Sequence, residues 1–419
     1  MRSGRRQFFC AIGLLPLVGY SHAATRRVVV IGGGWGGLAA ARHLRALAPD
    51  LEVVLVDRQP AFVSFALSNR WLVDDVAPAL ERHDYAALAA RWGYRSRRAE
   101  VSAIDRTAGV VIAGNERLAY DWLVIAPGIR EDYAAWQVDD PATAAELRRR
   151  YSGALVNGVE LPTLKQRLAS FTGGDLLLTI PPAPYRCPPA PYERALLIAW
   201  WLKTRKIPGK LIVADPNPIM PAFRSILLDR FKDQITYLDH ARVRRIDPLR
   251  KTISTDIDDI RFDEALLCPP QQAADLLWQA GLIRPEDSGR PSGWAAQGAL
   301  DFRSSADQRV FIIGDACGLV SPQFGQYPKT GHVANRMGLV VAREIAAEAT
   351  GQAFPPVLPE SVCHVLSSVD PAESIRIDTA YRARGDGFLM QTVKQTRNPN
   401  PAGEDAAWAE SMYRDFLRP

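Results

Sequence analysis

From residue 26 onward the chain alternates short, uninterrupted apolar runs with longer stretches in which apolar positions return every three or four residues. The run Val28 to Ile31 contains no polar residue, as a strand buried on both faces of a parallel sheet requires. The following stretch, WGGLAAARHLRAL, has the helical period, and EVVLVD, ending at Asp57, is a second apolar run. Strand, helix and strand in this order predict a βαβ unit. Further strands are predicted within YDWLVIAPG at 120–128, GDLLLTI at 174–180, KLIVAD at 210–215 and RVFIIGDACG at 309–318. The segment HVANRMGLVVAREIAAEA at 332–349 predicts a long helix opening near Lys329, Thr330 and Gly331. Runs of this kind, spaced by helical segments, predict an α/β fold.

The loop inside the first unit, Gly32-Gly33-Gly34-Trp35-Gly36-Gly37, satisfies G-x-G-x-x-G. Gly32 suits the tight turn, Gly34 the close approach of a pyrophosphate, and Gly37 the packing of helix on strand, with Trp35 opening the helix. Asp57 follows at the distance of a ribose-binding acid. The alternative is a plain structural turn, but the flanking strand, helix and acid coincide as dinucleotide binding requires. Two other segments resemble flavoprotein signatures. One is the strand that ends in Ala126-Pro127-Gly128; the other ends in Gly314-Asp315, where the aspartate would meet the ribitol of FAD. The helix opening near Lys329 and Gly331 would aim its positive end at the flavin pyrimidine. Residues 24–132 and 292–348 are therefore expected to form a divided FAD domain. Residues 133–291, between them, look like the second nucleotide-binding domain of two-dinucleotide flavoproteins, with 349–419 as a C-terminal domain carrying a partner interface.

In that second domain the strand LLLTI runs into Pro181-Pro182, where a nicotinamide-binding relative would place glycines. A proline has neither a free N–H for a pyrophosphate nor room for its approach, so NADH is not expected to bind. The loop instead holds Cys187, stiffened by Pro184, Pro188, Pro189 and Pro191, with Arg186 beside it to favour a thiolate. The residues alone leave two readings open: a redox cysteine facing the flavin, or a structural cysteine in a proline-rich connection. Glu193 is a candidate proton acceptor, against the alternative of a solvated acid at a helix start.

Composition adds compartment and narrows partners. The chain has 419 residues, 47% hydrophobic and 23% charged, as in soluble globular proteins. Residues 1–23 read as a twin-arginine export signal, with Arg5-Arg6, an apolar stretch from Phe8 to Tyr20 and Ser21-His22-Ala23 as the cleavage site. A retained anchor helix or an early start codon are the alternatives. The signal holds three arginines and no acid, so its removal takes the formal charge from +5 to +2. A nearly neutral chain gives no reason to expect nucleic acid, and RWGYRSRR at 91–98 reads as a solvated turn. No CxxC, no HxxxH and no clustered His or Cys is present, so no metal site is expected.

The segments PPAPYRCPPAPYERA, VVIGGGWGG, ALSN (Ala66 to Asn69), LCPPQQA, GWAA, FIIGDAC and YPKTGHVAN together resemble the flavoprotein subunit of flavocytochrome c sulfide dehydrogenase, in order over nearly all of the mature chain. That family is a relative of sulfide:quinone oxidoreductase and glutathione reductase, so the resemblance implies the glutathione-reductase type of fold. It implies a redox disulfide beside the flavin, whose first cysteine matches Cys187 and whose second matches Cys363 in PESVCHVLSS, with Arg186 and His364 favouring thiolate character. Without the resemblance, Cys363 reads rather as a core cysteine after the linker FPPVLP; Cys268 reads as core, and Cys317, expected near the flavin, is by the resemblance a packing residue. Asn69 belongs to the LSN stretch and is carried over as cofactor-binding. Well-known members tether FAD through a cysteine at the position held here by Phe65, so FAD is expected to bind non-covalently. The resemblance implies that hydrosulfide attacks the disulfide, leaving a persulfide and a thiolate that passes two electrons to FAD. With no C-x-x-C-H in the chain, the haem acceptor would lie on a partner cytochrome c in the periplasm. The alternatives are sulfide:quinone oxidoreductase, for which the apolar positions Trp408, Met412, Tyr413 and Phe416 of the tail are too interrupted by acids to enter a membrane, so that docking on protein is expected; a nicotinamide-linked reductase; and a non-enzymatic thiol-exchange partner of sulfur carriers.

Overall fold

Strand β1 (Arg27–Ile31) leads through the glycine loop into helix α1 (Trp35–Leu47) and returns as β2 (Glu52–Asp57) in a computed structural model that describes residues 26–76, 80–156 and 158–418. The export signal expected at 1–23 lies outside the described residues. The chain then adds β3 (Arg95–Arg98) and β4 (Trp122–Ile125), crosses into a second domain with β5 (Gly174–Thr179), helix α2 (Ala190–Thr204), β6 (Gly209–Asp215), β7 (Ile235–Asp239) and β8 (Glu264–Leu266), and comes back as β9 (Arg303–Ser304), β10 (Asp307–Ile312) and helix α3 (Gly331–Thr350). The last segment is a sheet of β11 (Ser361–Ser368), β12 (Glu373–Ala383) and β13 (Leu389–Asn398), closed by helix α4 (Glu404–Phe416).

Two sheets carry the architecture. The first has the order β9-β10-β4-β1-β2-β3, parallel except for β9, and the second the order β7-β6-β5-β8, parallel throughout. Val28, Val29 and Val30 are fully buried, which is why β1 has no polar position: α1 and α3 cover one face and a second layer covers the other. The segment 95–98, expected as a solvated turn, is instead the edge strand β3, paired in parallel with β2. Its arginines suit an edge, where charge discourages further pairing.

Helices α1 and α3 approach so closely that a Cβ on Gly338 would stand 2.8 Å from the backbone nitrogen of Ala40. At the other end a Cβ on Gly331 would stand 2.8 Å from the Trp35 ring, so the N-termini of the two helices lie side by side. Small residues at these crossings therefore bring two positive helix ends to one place.

The apolar stripe of the tail has a destination within the chain. On α4, Met412, Tyr413 and Phe416 are buried; the Trp35 ring stacks on Tyr413 with centroids 5.5 Å apart and meets Phe416 at 5.1 Å, while the Tyr413 hydroxyl lies 2.9 Å from Ser64 Oγ. The expectation that this stripe docks on a partner is corrected: it closes the chain's own first domain. No helix among the described residues is long and apolar enough to cross a membrane.

Candidate active site

The glycine loop has the shape its spacing predicts. Gly32 takes a φ of 95°, where a side chain is strained, and a Cβ there would overlap the Ala126 carbonyl. A Cβ on Gly37 would overlap the Gly32 carbonyl, so this glycine lets the helix sit on the strand. Gly34 differs: no protein atom lies within 4 Å of where its Cβ would stand, and as N-cap of α1 it supplies no side chain to the first-turn N–H groups. Backbone donors at a helix start beside open space are an anion cradle. Trp35 contributes to this cradle through its backbone alone, because its ring lies among Phe62, Tyr413 and Phe416. Asp57 accepts the Gly33 N–H at 2.7 Å, tying the end of β2 to the loop.

The cysteine loop reaches the start of α3 through its backbone. The Cys187 N–H donates to the Lys329 carbonyl at 2.8 Å, and its own carbonyl accepts from Ala190 N at 2.8 Å, with Cys187 held at a φ of 51°. For a residue with a side chain that conformation costs about 1 kcal/mol and persists where surrounding contacts over-determine it. Cys363, on β11, has its thiol within hydrogen-bonding reach of Cys187; that contact and burial push the Cys363 thiol well above its usual range. All four described cysteines are free thiols. The other two are inert by position: burial pushes both Cys268 and Cys317 up to about 12.

Glu193 joins the helix that follows the Cys187 loop to the strand that carries Cys363. It lies in the first turn of α2; its Oε1 accepts the Leu366 N–H of β11 at 2.7 Å and its Oε2 accepts Asn69 Nδ2 at 2.7 Å. Burial raises its pKa above the ordinary carboxylate range. It is not the solvated acid that a helix start alone would allow. Asn69, expected at the cofactor, has its carboxamide committed inside the protein: Nδ2 also faces the Ala190 carbonyl at 3.0 Å, and Oδ1 accepts Arg194 Nε at 2.9 Å. Arg194, 3% exposed, also holds the Gly153 carbonyl, and desolvation lowers its pKa. Arg194 lies within the cysteine segment, yet no motif gives it a role. Its signal was legible nonetheless, since a charged pair at the head of the otherwise apolar segment ALLIAWWL must be bonded internally if that helix is buried all round.

Two expectations about charge are corrected. Arg186 does not stand over Cys187 as a free cation: its Nε donates to Asp315 Oδ2 at 2.5 Å and its Nη1 to the Val156 carbonyl. His364 cannot assist the thiol, because alternate strand residues face opposite ways; its ring lies 6.0 Å from that of Trp408, and burial lowers its pKa. Asp315 is buried at the end of the β10 turn, and Gly128, at a φ of 73°, faces Arg186. Lys329 is 3% exposed; its Nζ donates to the carbonyls of Asp315 at 2.7 Å and Cys317 at 2.8 Å and lies 3.6 Å from the Trp294 ring centre, and desolvation lowers it to about 7. Gly331 opens α3, whose N-cap Thr330 accepts the Val333 N–H at 3.2 Å.

The arrangement offers an anion cradle at two helix ends and, joined to it through Lys329, a thiol pair clasped by a buried acid. Residues 162–269 match the family model of the sulfide dehydrogenase [flavocytochrome c] flavoprotein chain, central region, and residues 26–147 that of pyridine nucleotide-disulphide oxidoreductases. The chain is 25% identical over 346 residues to the sulfide-quinone reductase of Aquifex aeolicus, covering 76% of each. It is 51% identical over 45 residues to the sulfide dehydrogenase [flavocytochrome c] flavoprotein chain of Chlorobaculum thiosulfatiphilum, covering 11% of this chain and 94% of that sequence. Among solved structures, the sulfide:quinone oxidoreductase of Aquifex aeolicus superimposes with a TM-score of 0.73 at 18% identity, covering 94% of this chain and 93% of that one. The glutathione-reductase type of α/β fold is thereby shared.

Proposed function

We propose, from the match of residues 162–269 to the flavocytochrome c sulfide dehydrogenase flavoprotein chain and from the similarity to that chain in Chlorobaculum thiosulfatiphilum, that the protein is a periplasmic, FAD-dependent sulfide dehydrogenase that passes electrons to a c-type cytochrome. The observation that carries this reading is the meeting of Cys187 and Cys363, from two separate segments, beside the start of α3.

The residues present fit FAD. The open side of Gly34 and the uncapped start of α1 would hold its pyrophosphate, Asp57 its ribose, and Asp315, Lys329 and the N-terminus of α3 its flavin end, with Ala126 and Gly128 shaping the turn between. Bound FAD supplies a two-electron acceptor. The protein's own chemistry is sulfur exchange. Hydrosulfide attacks the oxidised Cys187–Cys363 pair; the old S–S bond breaks, a new one forms to the incoming sulfur, and the products are one persulfide and one thiolate. Glu193 holds α2 against β11 so that the sulfurs stay within bonding distance. Glu193, whose pKa burial raises, is assigned as the candidate proton acceptor for the incoming hydrosulfide because it bridges the two segments that bring the sulfurs together.

A second reading, with quinone as acceptor, draws support from the match to the Aquifex sulfide-quinone reductase. The internal burial of the α4 stripe favours the cytochrome, because that stripe is not available to enter a bilayer. The test is anaerobic mixing with sulfide, followed by either oxidised cytochrome c or a soluble quinone. Sulfide should bleach the flavin in the wild type and in Cys268→Ser, and fail to do so rapidly in Cys187→Ser or Cys363→Ser. Reoxidation by quinone but not by cytochrome would refute the acceptor assignment, and rapid bleaching in Cys363→Ser would refute the sulfur chemistry.

A further inference from the structure

Asp215 ends β6, the place where a nucleotide-binding βαβ unit puts its ribose acid, as Asp57 ends β2 in the first domain. Here the carboxylate is fully buried and each of its oxygens is taken by the protein. Oδ2 accepts the hydroxyls of Tyr192 at 2.6 Å and Tyr237 at 2.5 Å; Oδ1 accepts the backbone N–H and the side-chain Nδ2 of Asn217, both at 2.8 Å. Burial pushes both phenols far up, so they stay protonated donors.

These bonds lead to the two ends of the cysteine loop. Asn217 Nδ2 donates to the Pro181 carbonyl at 2.9 Å and Asn217 Oδ1 accepts the Ala183 N–H at 2.8 Å, which fixes the entry. Tyr192 sits in the first turn of α2, which fixes the exit, and its ring stacks on Phe223 with centroids 5.7 Å apart. Between them, the buried Tyr185 donates to the Pro188 carbonyl at 3.1 Å, closing the backbone around Cys187. Tyr237 is on β7, outside the loop and the helix that follows it; its hydroxyl meets Asp215 and the Tyr192 side chain.

We propose that Asp215 is a positioning residue for the cysteine chemistry: the acid that would hold a ribose in a nicotinamide-binding domain is used here to fix Cys187 opposite Cys363. The inference rests on the sulfur-exchange reading above, but it can fail separately. A carboxylate with two donors on each oxygen is a stiff anchor, since removing it leaves several buried polar groups without a partner. A shift of about 1 Å in a reacting sulfur is enough to change a rate by roughly a hundredfold.

The test compares Tyr192→Phe with Tyr237→Phe, together with Asp215→Asn. Each tyrosine variant removes one hydroxyl from the same carboxylate oxygen, so a purely structural role predicts equal effects. The readout is the rate at which the reduced holoenzyme forms the Cys187–Cys363 disulfide with diamide, measured by peptide mapping; this needs no sulfide. Tyr192→Phe and Asp215→Asn should slow that rate by about tenfold or more, with Tyr237→Phe near the wild type, and sulfide-driven bleaching should fall in the same order through kcat with KM little changed. Equal rates in the two tyrosine variants, or an unchanged rate in Tyr192→Phe, would overturn the proposal. If Asp215→Asn fails to fold, the tyrosine pair decides alone. Normal disulfide formation in a wild type whose flavin ignores sulfide would instead refute the sulfide reading and leave the positioning role to be judged by the variants.

Discussion

Gly34→Ala separates the cofactor role of the glycine loop from its structural role. The backbone at Gly34 has φ −75° and ψ −169°, which alanine adopts freely, and the new methyl meets no protein atom within 4 Å. The flavin-free protein should therefore be unharmed, or stabilised by about 0.4–1 kcal/mol through the stiffer unfolded chain. If a pyrophosphate packs on this face, the methyl takes its place and displaces it from the first-turn amides. Each charge-assisted bond lost is worth about 1.5–3 kcal/mol; two such bonds weaken binding by roughly two to four orders of magnitude. Gly37→Ala provides the contrast. Its methyl would overlap the Gly32 carbonyl, a backbone atom that cannot withdraw without opening the turn, so it should destabilise by about 1–3 kcal/mol or more whether or not flavin is present. The assay is the flavin-to-protein ratio after gel filtration, FAD titration of the stripped protein by flavin fluorescence quenching, and the melting temperature without flavin. Retention of FAD at wild-type affinity by a well-folded Gly34→Ala protein would refute the placement of the pyrophosphate.

Lys329→Met tests the buried amine. Desolvation lowers Lys329 from its usual 10.5 to about 7, so between those values the unfolded chain holds a proton that the folded chain does not, and stability should rise with pH across that window; the slope of melting temperature against pH in the flavin-free protein should flatten in the variant, and equal slopes would contradict it. NADH and NADPH should leave the oxidised flavin spectrum unchanged over minutes of anaerobic mixing, because Pro181-Pro182 occupies the phosphate turn and Asp215 is sealed by two tyrosines; rapid bleaching would refute this. Acid precipitation should release all the flavin into the supernatant, since Phe65 stands where the tether cysteine of relatives would be; yellow pellet would show a covalent link.

What was legible in the sequence was whatever depends on local pattern. VVVI, LLLTI and LIVA announce buried strands because a parallel strand covered on both faces has no polar position to offer, and the glycine spacing announces its turn because only glycine tolerates the φ of 95° and the close carbonyls found there. The arginines of 91–98 misled for the same local reason: exposed charge reads as turn, whereas pairing with β2 makes it an edge strand. The site itself depends on what lies far apart in the chain. Resemblance could match Cys187 with Cys363, but only the folded chain shows that Glu193 clasps the strand of Cys363 to the helix that follows the Cys187 loop, through Leu366. It also shows that Arg186 is held by Asp315, that Asn69 and Arg194 serve that clasp, and that the aromatic stripe of α4 covers Trp35. A side chain's charge is written in the sequence; which partner takes its hydrogen bonds, and so what that charge can do, is settled by the geometry of burial, because a polar group removed from water must bond to whatever the tertiary fold brings within about 3 Å.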